Sequence, residues 1–148
     1  MNQFNEDNLV EQTVIKLIKK VWADDGCHVN AYTDLEDAKL GRENQGEVVL
    51  KKYLLPQLEK LNPNIPQESL HEAIKQFVRD RSHLSLVKAN QEIYNLIRDG
   101  ANVNVSQPDG SSKVERIRYI DFDTPSNNNF LCVSQFWVVG DMYTRRPD

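Results

Sequence analysis

The spacing of the apolar residues changes once along this chain, at Gly100. Before it they recur every three or four residues, the period of an amphipathic helix, and after it they alternate, the period of a strand. A chain of 148 residues is about one domain long. The sequence therefore predicts an α+β fold with N-terminal helices packed on a mixed, mostly antiparallel sheet. We expect a single domain, 1–148, with the helical part at about 1–100 and the sheet part at about 101–148.

Four helices are expected in the first part. Asn8–Trp22 carries apolar residues around a wide face and should bury that face. A second helix runs from Val48 to Leu58, with Pro56 as a point where it could kink. A third follows Pro66, and a fourth runs from Leu86 to Ile97 and ends at Gly100 as an αL cap.

The second part reads as strands and tight turns. Val103–Val105 and Lys113–Phe122 flank a Gln-Pro-Asp-Gly turn and predict a β-hairpin. Phe130–Val139 is nearly all apolar or aromatic, which predicts a central strand covered on both faces. Cys27–Tyr32 is a further candidate for an extended segment.

Charge and cysteine content limit the classes of function. The formal net charge is −4, which argues against bulk electrostatic binding of DNA, because such binding needs cations that displace counterions. Any DNA contact should be local. The adjacent cation pairs are typical of solvated surface; they are Lys19-Lys20, Lys51-Lys52 and Arg145-Arg146.

Cys27 and Cys132 are far apart and share no metal-type spacing with the histidines. This usage favours a reduced, cytoplasmic protein. No apolar run approaches the roughly 20 residues of a membrane span, and the N-terminus lacks the pattern of a signal peptide. We therefore expect a cytoplasmic protein with no membrane partner.

Three carboxylates stand out on their positions alone. Glu11 falls on the apolar side of the first helix, so it should be either paired or functional; Asn8-x-x-Glu11 also fits a capping box, which is the favoured alternative. Asp121 and Asp123 precede a Pro/Asn-rich turn and are interpreted as structural acceptors of backbone N–H groups. Gln135 is a candidate buried amide that ties strands together.

The C-terminal part resembles the N-terminal region of type I restriction enzyme R subunits. The matching motifs are Tyr119-Ile120-Asp121-Phe122-Asp123, Pro125, Asn128, Phe130-Leu131, Val133-x-Gln135-Phe136 and Arg145-Arg146-Pro147-Asp148. The helical part agrees more loosely, at Leu9-Val10-Glu11, Gly41-Arg42-Glu43, Val49-Leu50, Leu61-Asn62-Pro63, Pro66, Asn90, Tyr94 and Leu96.

The resemblance implies a nuclease of the PD-(D/E)xK class and the start of a restriction-endonuclease-like core. It makes Asp148 the first Mg²⁺-binding carboxylate, gives Glu11 a metal-binding role from the first helix, and lets Arg145 and Arg146 contact DNA phosphates. The second carboxylate, a Glu, and its Lys are expected beyond residue 148. The chain is then truncated within the nuclease motif and inactive by itself.

The whole subunit implied by this resemblance cleaves duplex DNA with Mg²⁺ after ATP-dependent translocation. ATP is bound by helicase-like motor domains beyond this chain, since no P-loop is present here. The implied partners are duplex DNA and the specificity and methylation subunits of the restriction complex. Two alternatives stay open: a non-catalytic protein-interaction domain, and a different PD-(D/E)xK nuclease.

Overall fold

The fold is that of a computed structural model, described over residues 10–33, 37–140 and 144–145. The chain divides into two compact units. Unit 1 comprises Met1–Leu50 and Thr124–Asp148, and unit 2 comprises Lys51–Asp123. Unit 2 therefore interrupts the sequence of unit 1, and each unit has its own helices and strands.

The described residues form an α+β fold, as predicted. The helices are α1 Gln12–Asp24, α2 Asp37–Leu40, α3 Lys51–Leu61, α4 Gln67–Val78 and α5 Leu86–Asp99. The strands are β1 Val29–Thr33, β2 Ala101–Ser106, β3 Ser112–Ile117, β4 Phe130–Ser134, β5 Val138–Val139 and β6 Thr144–Arg145. α3 runs through Pro56 without ending there. The strands of the described ranges pair in three two-stranded sheets, β1 with β4 in parallel, and β2 with β3 and β5 with β6 antiparallel.

The core of unit 2 lies between the β2–β3 hairpin and the helices α3 and α4. Alternate residues of β2 are buried, as the period of two requires. From α4, Leu70 and Ala73 pack against this face, and Ile117 of β3 is fully buried. The predicted hairpin is confirmed, but β3 ends at Ile117 rather than continuing to Phe122.

Two polar side chains connect the elements of this core. The buried Asn62 donates to the carbonyls of Leu58 and Arg118, both at 2.9 Å, and accepts from the Arg118 N–H at 3.0 Å. The Tyr119 hydroxyl donates to the Ala73 carbonyl at 2.7 Å, and burial raises the pKa of Tyr119 to about 12. Both link residues distant in sequence without leaving a polar group unsatisfied.

Gly100 ends α5 with a positive φ, as the cap prediction requires, but not in the αL conformation. Its dihedral angles are φ 84° and ψ 177°, a region that is essentially restricted to glycine. The N–H of Gly100 donates to the Leu96 carbonyl at 2.9 Å and closes the last turn. The chain then enters β2 directly, which explains the extended ψ.

Two expectations for unit 1 are wrong. The predicted central strand does not reach Val139, because β4 ends at Ser134, and within the described residues its one neighbour is β1. The broad buried face of the first helix is also not observed: Ile15 is the buried residue of α1, whereas Val14, Leu17 and Val21 are exposed. Periodicity shows which side of a helix is apolar, but tertiary packing decides whether neighbouring elements cover that side.

What holds α1 to the sheet is a small set of contacts. α1 packs against β1. The rings of Trp22 and Phe130 meet edge to face with centroids 4.3 Å apart, a favoured geometry. No helix among the described residues is long and apolar enough to cross a membrane.

Candidate functional site

The candidate site is built on a contact between the start of α1 and the end of β4. Glu11 occupies the residue before α1, and its Oε1 accepts a hydrogen bond from Nε2 of Gln135. Gln135 follows the last residue of β4. The amide therefore fixes the carboxylate at the N-terminal end of a helix, where the helix dipole favours a negative charge.

The backbone of Gln135 explains why the predicted strand stops. Its φ is 57°, in the left-handed region, which is uncommon for residues with a Cβ. This conformation cannot continue a β-strand. A strained, non-glycine residue that directs a polar side chain at a carboxylate is the kind of outlier found at functional sites. The predicted role of Gln135 as an amide tying strands is thus corrected: it ties a strand end to a helix.

The residues after Gln135 are attached to the loop that follows α2. Arg42 donates from Nη1 to the Trp137 carbonyl at 2.7 Å, and its guanidinium lies 4.4 Å from the centroid of the Phe136 ring. The N–H of Val139 donates to the Gln45 carbonyl at 3.0 Å. These contacts fix the segment that leads from the site towards β6.

Of the other predicted site residues, Arg145 is the one that the structure describes. Arg145 lies in β6, is exposed, and is paired in register with Val138. Arg146 and Asp148 lie outside the described residues, as does Asn8 of the capping box. The metal-binding roles of Glu11 and Asp148 and the DNA contacts of Arg145 and Arg146, which the resemblance implies, therefore stay predictions.

Asp121 has the structural role predicted for it. It is buried, and its Oδ1 accepts a hydrogen bond from the Asp123 N–H at 3.1 Å. Asp123 itself is exposed. The Asp121 carboxylate therefore shapes the turn that follows it, as an acceptor of a backbone N–H group.

The described part of the site fits one ligand of a divalent cation. Within residues 10–33, 37–140 and 144–145, no group of three acidic, histidine or cysteine side chains could hold a metal. Glu11 offers a carboxylate whose Oε2 is shielded from solvent and whose Oε1 is bonded to an amide, and bonds of this kind orient metal ligands. Mg²⁺ needs only one or two protein carboxylates beside water and phosphate oxygens.

The geometry defines a class of protein. It is an α+β protein in which the start of a helix and the end of a parallel strand together hold a carboxylate. The sequence model of the family described as "Type I restriction enzyme R protein N terminus" matches residues 3–148. The chain belongs to that family. No solved structure is significantly similar to it.

Two curated relatives agree with this assignment. The type I restriction enzyme HindI endonuclease subunit of Haemophilus influenzae is 29% identical over 134 residues, 90% of this chain. The putative type I restriction enzyme MjaIXP endonuclease subunit of Methanocaldococcus jannaschii is 24% identical over 151 aligned residues, 99% of this chain. The chain spans only 12% and 14% of the lengths of these relatives, so it corresponds to a small part of such a subunit.

Proposed function

We propose that this chain is the N-terminal part of an endonuclease subunit that cleaves duplex DNA with Mg²⁺ after ATP-dependent translocation, and that it is inactive in isolation. Its partners are then the specificity and methylation subunits of a restriction complex in the cytoplasm. One observation carries the proposal: in a chain of this family, Glu11 is a carboxylate held by Gln135 at the end of a strand.

In the proposed mechanism, Glu11 and Asp148 offer carboxylate oxygens to Mg²⁺. Mg²⁺ held by these two residues would supply Lewis-acid chemistry, that is, polarisation of the phosphate and a lower pKa of the attacking water. Gln135 holds the Glu11 carboxylate in one orientation, which reduces the reorganisation needed when the ligand set forms. Arg145 and Arg146 are placed in sequence to contact phosphate oxygens of the incoming strand.

The proposal is tested with the full-length subunit assembled with its partner subunits. We expect supercoiled DNA to be cut when Mg²⁺ and ATP are both present, and to remain intact when either is omitted. The isolated 148-residue chain should not cut under any of these conditions. Cutting by the full-length protein without ATP would favour a PD-(D/E)xK nuclease that is not linked to translocation.

Removal of the amide that holds Glu11 should weaken the response to Mg²⁺. Leu lacks the amide of Gln and, like Gln, is unbranched at Cβ, so Gln135→Leu removes the hydrogen bond to Glu11 without adding a β-branch at the left-handed backbone of residue 135. We expect the Mg²⁺ concentration for half-maximal cleavage to rise by roughly 10- to 100-fold, as for other partners of metal ligands.

The matched control is Gln91→Leu, since Gln91 is an exposed amide on α5. It should leave the Mg²⁺ dependence unchanged. An equally unchanged Mg²⁺ dependence in Gln135→Leu would show that Gln135 does not act on the metal ligands, and would reduce the contact with Glu11 to a structural one.

A further inference from the structure

Unit 2 contains a polar cleft that the nuclease site does not use. A cavity of about 580 Å³ opens between the end of α4, α5 and the hairpin. Its walls include Arg79 and Arg116 together with the amides of Gln76, Asn95 and Asn102. We call this cavity and its surroundings the arginine cleft. Its cations come from separate elements, so no run of basic residues in the sequence points to it.

One arginine of the arginine cleft, Arg81, has a structural role. The Arg81 guanidinium donates to the carbonyls of Gln76 at 2.7 Å, Phe77 at 3.1 Å and Arg79 at 2.9 Å. These include the last-turn carbonyls of α4, which have no partner within the helix. Arg81 is therefore a side-chain cap for α4 and is mostly buried, with 9% of its side chain exposed.

The acidic residues of the cleft are already neutralised. Glu92 accepts from Arg79 at 2.6 Å and from Arg81 at 3.2 Å, and the hydrogen bond from Arg79 holds the pKa of the Glu92 carboxyl below its usual range. Asp99 accepts from Nε of Arg98 at 2.7 Å. Glu92 is thus paired with Arg79 and Arg81, and Asp99 is paired with Arg98. The remaining positive charge is available to a ligand.

The remaining positive charge of the arginine cleft is that of Arg116 and Arg118. They alternate with the buried residues Ile117 and Tyr119, so both point away from the core. Within the described part of the chain, neither guanidinium makes a hydrogen bond or a salt bridge at contact distance, although the pKa of the Asp99 carboxyl is held below its usual range by the hydrogen bond from Arg98 and, in addition, by the charge of Arg116. A second cavity of about 250 Å³ is lined by Arg98, Arg116 and Arg118 and by the exposed carboxylate of Asp123, so cations outnumber acidic residues there as well. It shares Asp99, Gly100 and Arg116 with the first cavity. The two cavities therefore adjoin, and together they are called the track.

We propose that the arginine cleft binds the phosphodiester backbone of DNA, as a contact separate from the nuclease site. A guanidinium with free N–H groups matches phosphate oxygens in charge and geometry. Successive cations along a track fit a chain of phosphates better than a single small anion. The choice of DNA as the polyanion rests on the proposed function.

The charge distribution agrees with a local contact. Unit 2 contains 11 Lys and Arg against 10 Asp and Glu, whereas the whole chain has 18 against 22. The excess negative charge therefore belongs to unit 1. A basic surface within unit 2 can attract phosphates even though the whole chain is acidic, because screening confines such interactions to about 10 Å at ordinary ionic strength.

The test compares two double variants of the full-length subunit. Arg116→Gln with Arg118→Gln removes two cations from the arginine cleft, and Lys75→Gln with Lys113→Gln removes two exposed cations elsewhere in unit 2. Binding of a short fluorescent duplex is measured over a series of salt concentrations, and melting temperatures verify folding. Since neither cleft arginine holds the fold together, both double variants should fold.

The cleft variant should bind the duplex about tenfold more weakly or worse, and the slope of log affinity against log salt should become shallower by about 2, one per lost phosphate contact. The lysine variant should match wild type. Equal slopes for all three proteins would overturn the proposal that the arginine cleft binds DNA. The proposed function would stand, provided that wild type still cuts DNA.

Two other outcomes are informative. Wild-type protein that neither binds nor cuts DNA would overturn the proposed function and, with it, the DNA assignment of the cleft. Reduced binding of a poly-aspartate peptide by the cleft variant, with unchanged DNA binding, would assign the arginine cleft to an acidic protein surface and overturn the proposal.

Discussion

Asp148→Ala in the full-length subunit is expected to reduce Mg²⁺-dependent DNA cleavage by about a thousandfold or more. A metal ligand supports transition-state stabilisation worth several kcal/mol, and each 1.4 kcal/mol corresponds to roughly a factor of ten in rate. ATP hydrolysis should be unchanged, because the proposed motor domains lie elsewhere. The measurement is the initial rate of cutting of supercoiled DNA beside the rate of phosphate release from ATP.

Glu11→Ala belongs in the same experiment, since both carboxylates are proposed ligands of one ion. If they act as a unit, each single variant should cost nearly as much as the double variant. Asp24→Ala is the matched control, because Asp24 is an exposed carboxylate at the opposite end of α1 from Glu11 and should not touch the metal. Undiminished cutting by Asp148→Ala would make the terminal Pro-Asp incidental and would favour a non-catalytic interaction domain.

Gly100→Ala should destabilise unit 2 by about 4 kcal/mol. The dihedral angles φ 84° and ψ 177° disfavour any residue with a Cβ, at a cost of about 2 kcal/mol. An added Cβ would also lie 2.3 Å from the Ile117 carbonyl oxygen. Displacing the backbone of a fully buried core residue costs about 2 kcal/mol more. Urea denaturation gives the free energy of unfolding.

Gly110→Ala separates these two contributions. Gly110 also has a positive φ, 83°, but nothing lies within 4 Å of an added Cβ. Its cost should be the conformational one, about 1–2 kcal/mol. Equal destabilisation by the two substitutions would mean that the approach of Gly100 to Ile117 contributes nothing, and that the α5–β2 junction is held by backbone conformation alone.

The sequence determined the elements of unit 2 because their signals are local. The period of the apolar residues placed α3, α4 and α5 to within a few residues, and the Pro-Asp-Gly turn placed the hairpin. Glycine at residue 100 indicated a positive φ, because few other residues tolerate one. The motifs between Tyr119 and Asp148 indicated the family, which the match over residues 3–148 shows.

Only the tertiary structure decided which distant residues meet. An apolar run does not reveal its neighbour, so the parallel pairing of β4 with β1 and the exposure of much of α1 were not foreseeable from periodicity. The contact of Gln135 with Glu11 joins residues at opposite ends of the chain. The arginine cleft likewise draws on α4, α5 and β3. Local preferences extend over a few residues, whereas a site forms from side chains that packing brings together.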